Sequence, residues 1–201
     1  MADNPFIKIA VTPPTIVNDE AGLITVVLDH GWDIVHLRHP SSSLREIKNL
    51  IEAIPQRYHS RLRLHGHFDL VNDFNLGGLH LNRRCPVAPA NYSGPTSRSC
   101  HSIEEVIESN DCDYVFLSPV FDSISKPDYN AALDHKDLLR LNQIGLPAVI
   151  ALGGVTPENI GDLAQYNFSG IAVLGYLWNT NSDRMTISRN LSEFDKTFNT
   201  I

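Results

Sequence analysis

Short apolar runs recur along the chain without the strict alternation of a half-buried strand. They are FIKIAV (6–11), DIVHLR (33–38), RLRLH (61–65), GLHL (78–81), RSCH (98–101), YVFLS (114–118), AVIAL (148–152) and GIAVL (170–174). Runs of this kind suit parallel strands covered on both faces. Between them lie stretches of helical period. SSLREIKNLIEAIPQRY places Leu44, Ile47, Leu50, Ile51 and Ile54 on one side of a helix, and DHKDLLRLNQIG is a second amphipathic segment ended by Gly145. SIEEVIESND opens with a capping box, Ser102 followed three residues later by Glu105. Alternating strands and helices favour parallel pairing through right-handed crossovers.

Eight such units in 201 residues match the lower size limit of an α/β TIM (β/α)8 barrel. The expected organisation is one domain over residues 1–201. The segments 66–76 and 82–96 are short or irregular, so an open doubly wound sheet is the alternative. CPVAPANYSGP (85–95) reads as a Pro-rich loop, with no linker between domains.

PAVIALGGVTPENIG (147–161) follows a buried strand with two glycines and a helix start. Gly153 and Gly154 permit positive φ and close approach to the backbone. Thr156, ahead of Pro157 and Glu158, can cap a helix whose first N–H groups point outward. That arrangement is a seat for a phosphate. In a barrel, Gly153, Gly154 and Gly175 lie after the seventh and eighth strands, the usual phosphate position, and the strand ends also present His36, Arg38, His65, His80, Ser99, His101 and Ser118.

With 16 basic and 23 acidic side chains the formal net charge is −7, which opposes binding to nucleic acid or an anionic membrane. The start of the chain, MADNPFIKIAVTPP, lacks the basic and long apolar parts of a signal peptide, and no segment has the apolar length to span a bilayer. Cys85, Cys100 and Cys112 are odd in number and lack C-x-x-C spacing, which suggests neither a disulfide framework nor structural zinc. A cytoplasmic protein is expected, compatible with a homo-oligomer.

The segments VHLRHP, HFDLVNDFNLGGLHLN, SRSCHSIEEV, DYVFLSPVFDSISK, PAVIALGGVTPENI and GIAVLGYLW, in this order and spacing, resemble the thiamine phosphate synthase/TenI superfamily from about residue 6 to residue 178. The resemblance implies thiamine biosynthesis on a phosphorylated thiazole. In the synthase branch a pyrimidine diphosphate loses pyrophosphate at a magnesium site, and the nitrogen of a thiazole phosphate attacks the resulting cation. The pattern then assigns anion binding to Arg38, Ser99, Ser123 and Lys126, and phosphate binding to Gly153, Gly154 and Gly175, the last replacing a residue that is often Ser. A second cation after strand two is replaced by Pro40.

The Asn-Asp pair of the synthase pattern is His65-Gly66 here, and the second magnesium carboxylate falls near Cys85. Hard cations want oxygen ligands, so no metal is expected, and magnesium only if the synthase alternative holds through displaced ligands such as Asp69 or Asp73. The TenI branch, which aromatises a thiazole phosphate without these carboxylates, is therefore the leading expectation. Its acid–base His just after strand six is matched by Pro119. A proton shuttle needs a group titrating near neutrality; His65 is the first candidate, with His36 and His101 beside it, although histidines commonly just hydrogen-bond within loops. A non-catalytic ligand-binding or regulatory barrel is the third reading.

Overall fold

The computed structural model describes residues 6–122, 133–142, 146–178 and 182–198. All eight expected strands form: β1 Ile7–Val11, β2 Ile34–Leu37, β3 Leu62–Leu64, β4 Gly78–Leu81, β5 Thr96–Cys100, β6 Tyr114–Leu117, β7 Ala148–Leu152 and β8 Gly170–Val173. Each pairs in parallel with its neighbour in sequence, and β8 returns to β1 through Ile9↔Ala172 to close the barrel. Closure replaces the open-sheet alternative and aims all the strand ends at one face, where barrels carry their sites.

The outer layer is less regular than a full (β/α)8 ring. It comprises α1 Glu20–Asp29, α2 Leu44–Ala53, α3 Leu70–Asp73, α4 Ile103–Glu108, α5 His135–Leu139 and α6 Arg184–Phe198. Helix α2 carries the reciprocal capping box: Ser43 accepts from the Glu46 amide, and the Glu46 carboxylate accepts from the Ser43 amide. At α4 only half of the expected box forms. Ser102 accepts from the Glu105 amide, but the Glu105 carboxylate takes the His101 amide instead. The helix expected after β7 is a 3-10 turn at Ile160–Gln165; Thr156 does not cap it, because its amide donates to Asn159 Oδ1 at 2.9 Å. The expected stop at Gly145 lies outside the described residues.

Helices α1 and α6, which the apolar runs did not single out, pack together across the β8–β1 closure. Phe194 meets Trp32 edge-on at 5.5 Å, and Leu23, Val27, Ile187 and Leu191 are buried around them.

The strands divide the barrel interior into two kinds of wall. Ile9, Val11, Ile150 and Ala172 form an apolar cluster on β1, β7 and β8, with Tyr114 and Phe116 of β6 at its edge. On β2, β4 and β5 the buried polar side chains His36, His80 and Ser97 are wholly enclosed. Buried polar groups need hydrogen-bond partners, and the second wall supplies them from within.

Candidate functional site

Three histidines from consecutive strands converge inside the barrel. His36 comes from β2, His80 from β4, and His65 stands one residue beyond β3. Parallel pairing of β2–β3 and β3–β4 brings the strands side by side, and period-two alternation turns all three rings inward. His65 stacks on His80 with ring centroids 4.1 Å apart, and His36 meets both rings edge-on at 5.1 and 5.0 Å. Phe116 closes the cluster from the β6 side, 4.6 Å from His36 and 4.7 Å from His80.

Hydrogen bonds hold the rings in place. His36 Nδ1 lies 2.9 Å from His65 Nε2, and His36 Nε2 lies 2.7 Å from the Tyr114 hydroxyl. His80 Nδ1 is 2.9 Å from Ser97 Oγ and its Nε2 is 2.8 Å from Ser99 Oγ. Ser97 donates its hydroxyl proton to the Leu79 carbonyl. It therefore accepts from His80 Nδ1–H, which leaves His80 Nε2 as the acceptor of Ser99.

Burial is the main reason these rings stay neutral. It pushes His36 and His65 well below the ordinary value, and the neighbouring His80 adds to the effect on each. His80 itself is lowered to about 3, first by burial and then by Arg98 and Arg38. Burial likewise raises the Tyr114 hydroxyl to about 12, so it remains protonated. His101, the third candidate, does not join them: it is exposed on the rim, where its Nδ1 contacts the Ser118 carbonyl at 2.8 Å.

Arg38 follows β2 at the mouth, with its amide donating to Thr12 Oγ1 at 2.8 Å. Burial and the like charge of Arg84 lower its guanidinium from the usual value, but an arginine stays charged. Among the described residues neither Arg38 nor Arg84 has a carboxylate within ion-pairing distance. Two unneutralised guanidiniums at the mouth form an anion seat, and Arg84 was not singled out from sequence. Also unanticipated is a buried pair beside it: His39 Nε2 lies 2.8 Å from Glu20 Oε1 and 3.1 Å from Thr12 Oγ1. Signals for such partners are weak in sequence, because their contacts span distant segments.

Gly153 and Gly154 both adopt positive φ, 95° and 67°. A Cβ on Gly153 would stand 2.9 Å from Pro119 Cα, and one on Gly154 would collide with the Asp122 carbonyl and Phe121. The β7 turn is thus packed against the chain that leaves β6. Gly175 sits in the turn after β8, where Leu177 and Trp178 amides both return to the Leu174 carbonyl. Among the described residues the Gly154 and Gly175 amides have no backbone acceptor. Ser123 and Lys126 lie outside the described residues.

The two positions where the resemblance implies magnesium carboxylates do adjoin: a Cβ on Gly66 would lie 4.0 Å from Cys85 Sγ. The place survives without its oxygen donors. Asp73 does not replace them, because it lines an outer groove with Glu52, Pro55 and Phe74. Among the described residues the one group of three or more metal-ligating side chains is His36, His65 and His80. Nitrogen donors of this kind do not fit magnesium.

A family model described as thiamine monophosphate synthase matches residues 9–177. A structure of thiamine phosphate pyrophosphorylase from Bacteroides thetaiotaomicron is similar, with 33% identity, a TM-score of 0.83, and coverage of 96% of this chain and 98% of that one. The thiamine-phosphate synthase of Methylobacillus flagellatus is 26% identical over 94% of each chain. The match to that of Latilactobacillus sakei, also 26% identical, spans 67% of this chain and 64% of the relative. These relatives bear the synthase name, which favours that branch over the tautomerase expected from sequence.

Proposed function

Because the chain belongs to the thiamine monophosphate synthase family, we propose that it joins a pyrimidine diphosphate to a thiazole phosphate with release of pyrophosphate. The observation that carries this reading is the pair of guanidiniums at the mouth, Arg38 and Arg84, with no carboxylate to neutralise them among the described residues. In the reaction, the bond between the pyrimidine methylene carbon and the diphosphate oxygen breaks and its electron pair leaves with pyrophosphate. The thiazole nitrogen then donates its lone pair to that carbon. Fixed cations placed where the leaving charge develops lower this barrier.

Arg38 holds the departing pyrophosphate, with Arg84 beside it. Ser99 turns its hydroxyl from His80 toward the anion, and Ser123 and Lys126 complete the anion contacts by their match to the family pattern. Amides at Gly153, Gly154 and Gly175 take the thiazole phosphate. His65, in the place of a pyrophosphate-facing Asn, and His36 behind it act as neutral donors to the substrate; His101 steadies the rim through Ser118. The residues at Gly66 and Cys85 do not fit magnesium, so no step is assigned to it.

The test is to incubate the purified protein with both substrates, with magnesium or with a chelator, and to follow pyrophosphate and thiamine phosphate together. Equal amounts of both products are expected, and Arg38→Ala should slow their formation about a hundredfold. Neither product forming under either condition would overturn the reading.

A second reading, aromatisation of a thiazole phosphate by proton transfer, is favoured by the half-buried His65 at the mouth and by the missing carboxylates. Proton exchange on the thiazole precursor without pyrophosphate release would select it.

A further inference from the structure

We propose that His36, His65 and His80 form a three-nitrogen site for a single divalent transition-metal ion of the zinc class. One nitrogen from each ring lies within 4.8 Å of the other two, and no ion is needed to bring them together. The closest pair, His36 Nδ1 and His65 Nε2, stand 2.9 Å apart, near the separation of about 3.3 Å between two nitrogens on one tetrahedral zinc at ordinary bond lengths. A modest outward shift of either ring would admit the ion.

The proton count balances without releasing any proton. Each ring is neutral, so each carries one N–H and one lone pair. Ser97, whose own proton goes to the Leu79 carbonyl, accepts His80 Nδ1–H and leaves Nε2 bare. At His36 the Tyr114 hydroxyl can accept as well as donate. When it accepts from Nε2–H, the Nδ1 lone pair is free for the metal. Tyr114 and Ser97 thus hold the outer nitrogens, as partners of metal-bound imidazoles commonly do. The cost of loading is the His36–His65 hydrogen bond.

Charge selects what else binds. Arg38 acts on His65 and His80, Arg98 on His80, and Arg63 on His36. These guanidiniums oppose a bare dication and favour an anionic fourth ligand, such as hydroxide or a phosphate oxygen. Three imidazoles exclude magnesium and calcium, which prefer oxygen, and favour zinc, cobalt or nickel. The site does not depend on which reaction the protein runs.

The experiment is a titration of the chelator-treated full chain with Co2+ and with Zn2+, without substrate, read by visible Co2+ absorption and by calorimetry. Wild-type protein should take up a single ion with the absorption of a four-coordinate nitrogen site, unaffected by excess Mg2+. His65→Ala, at a half-buried position, should bind at least about tenfold more weakly, and so should His80→Ala if its melting curve is cooperative. Serine at position 97 tests orientation: Ser97→Ala should weaken binding and shift the absorption band. No stoichiometric uptake would overturn the proposal, and so would uptake undiminished in His65→Ala, which would place the ion on surface histidines. Pyrophosphate release is a separate measurement, so failure here leaves the synthase reading standing and its failure leaves this site standing.

Discussion

The two walls of the barrel interior are built from the same backbone and obey different rules. On β1, β7 and β8 the inward positions are Ile9, Val11, Ile150 and Ala172, which touch one another and ask only for volume. On β2, β3, β4 and β5 the inward groups are His36, His65, His80, Ser97 and Ser99, joined by a chain of hydrogen bonds. An apolar wall tolerates any well-filling set of side chains. A polar wall fails when one member is removed, since its partner is then buried and unsatisfied. Activity is concentrated on the second wall because only there can a substrate exchange hydrogen bonds and charge.

Phe116, where the walls meet, gives the largest expected effect. Phe116→Ala should cost about 3–5 kcal/mol of unfolding free energy, because it removes an aromatic side chain and leaves a cavity against His36 and His80. Urea unfolding measures this, and a loss under about 1 kcal/mol would mean the two walls are not mechanically joined.

Next in size is the pH response. His36, His65 and His80 have folded values below the ordinary 6.5, with His80 at about 3. In the unfolded chain they take up protons from about pH 6.5 downward, while the folded wall does not, so the unfolded state binds more protons. Their contribution is complete above about pH 6.5 and is lost as pH falls from there toward 3. Arg38, Arg63, Arg98 and Tyr114 face these rings and remain in one charge state through that window. His80→Gln should therefore flatten the fall in stability between pH 7 and pH 5 in urea titrations. An unchanged slope would show that the rings are already charged when folded.

Gly154→Ala comes third. The added methyl meets the Asp122 carbonyl and Phe121, and the backbone stands at φ 67°. A cost of about 1–3 kcal/mol is expected from the strained backbone, together with weaker phosphate binding. Thermal melts with and without the thiazole phosphate separate the two, and an unaltered affinity would remove the amides from the site.

The smallest effect belongs to the apolar wall. Ile150→Val should cost about 1 kcal/mol, equally at pH 7 and pH 5, since Ile9, Val11 and Ala172 carry no titrating group. A cost that varied with pH would merge the walls that the comparison separates.

Legibility followed the same division. The strands could be read because a parallel strand covered on both faces is a short continuous apolar run, and GLHL and AVIAL mark β4 and β7 to the residue. Helix α1 was hidden by β-branched residues, Ile24, Thr25, Val26 and Val27, whose intrinsic preference is overridden by burial against Trp32 and α6. The turn after β7 was legible in its glycines but not in its helix, because Asn159 captured the Thr156 amide. Arg84 and Tyr114 escaped notice since each acts on a residue dozens of positions away.

By itself the sequence determined the number and order of strands, the glycine turn after β7 and the missing carboxylates at Gly66 and Cys85. These are local matters of pattern and residue identity. Tertiary structure alone decided that His36, His65 and His80 would share one pocket while His101 stayed on the rim. Alternation along a strand says which side chains point the same way, but only closure of the sheet makes that way a common centre, and only burial there strips the rings of their charge.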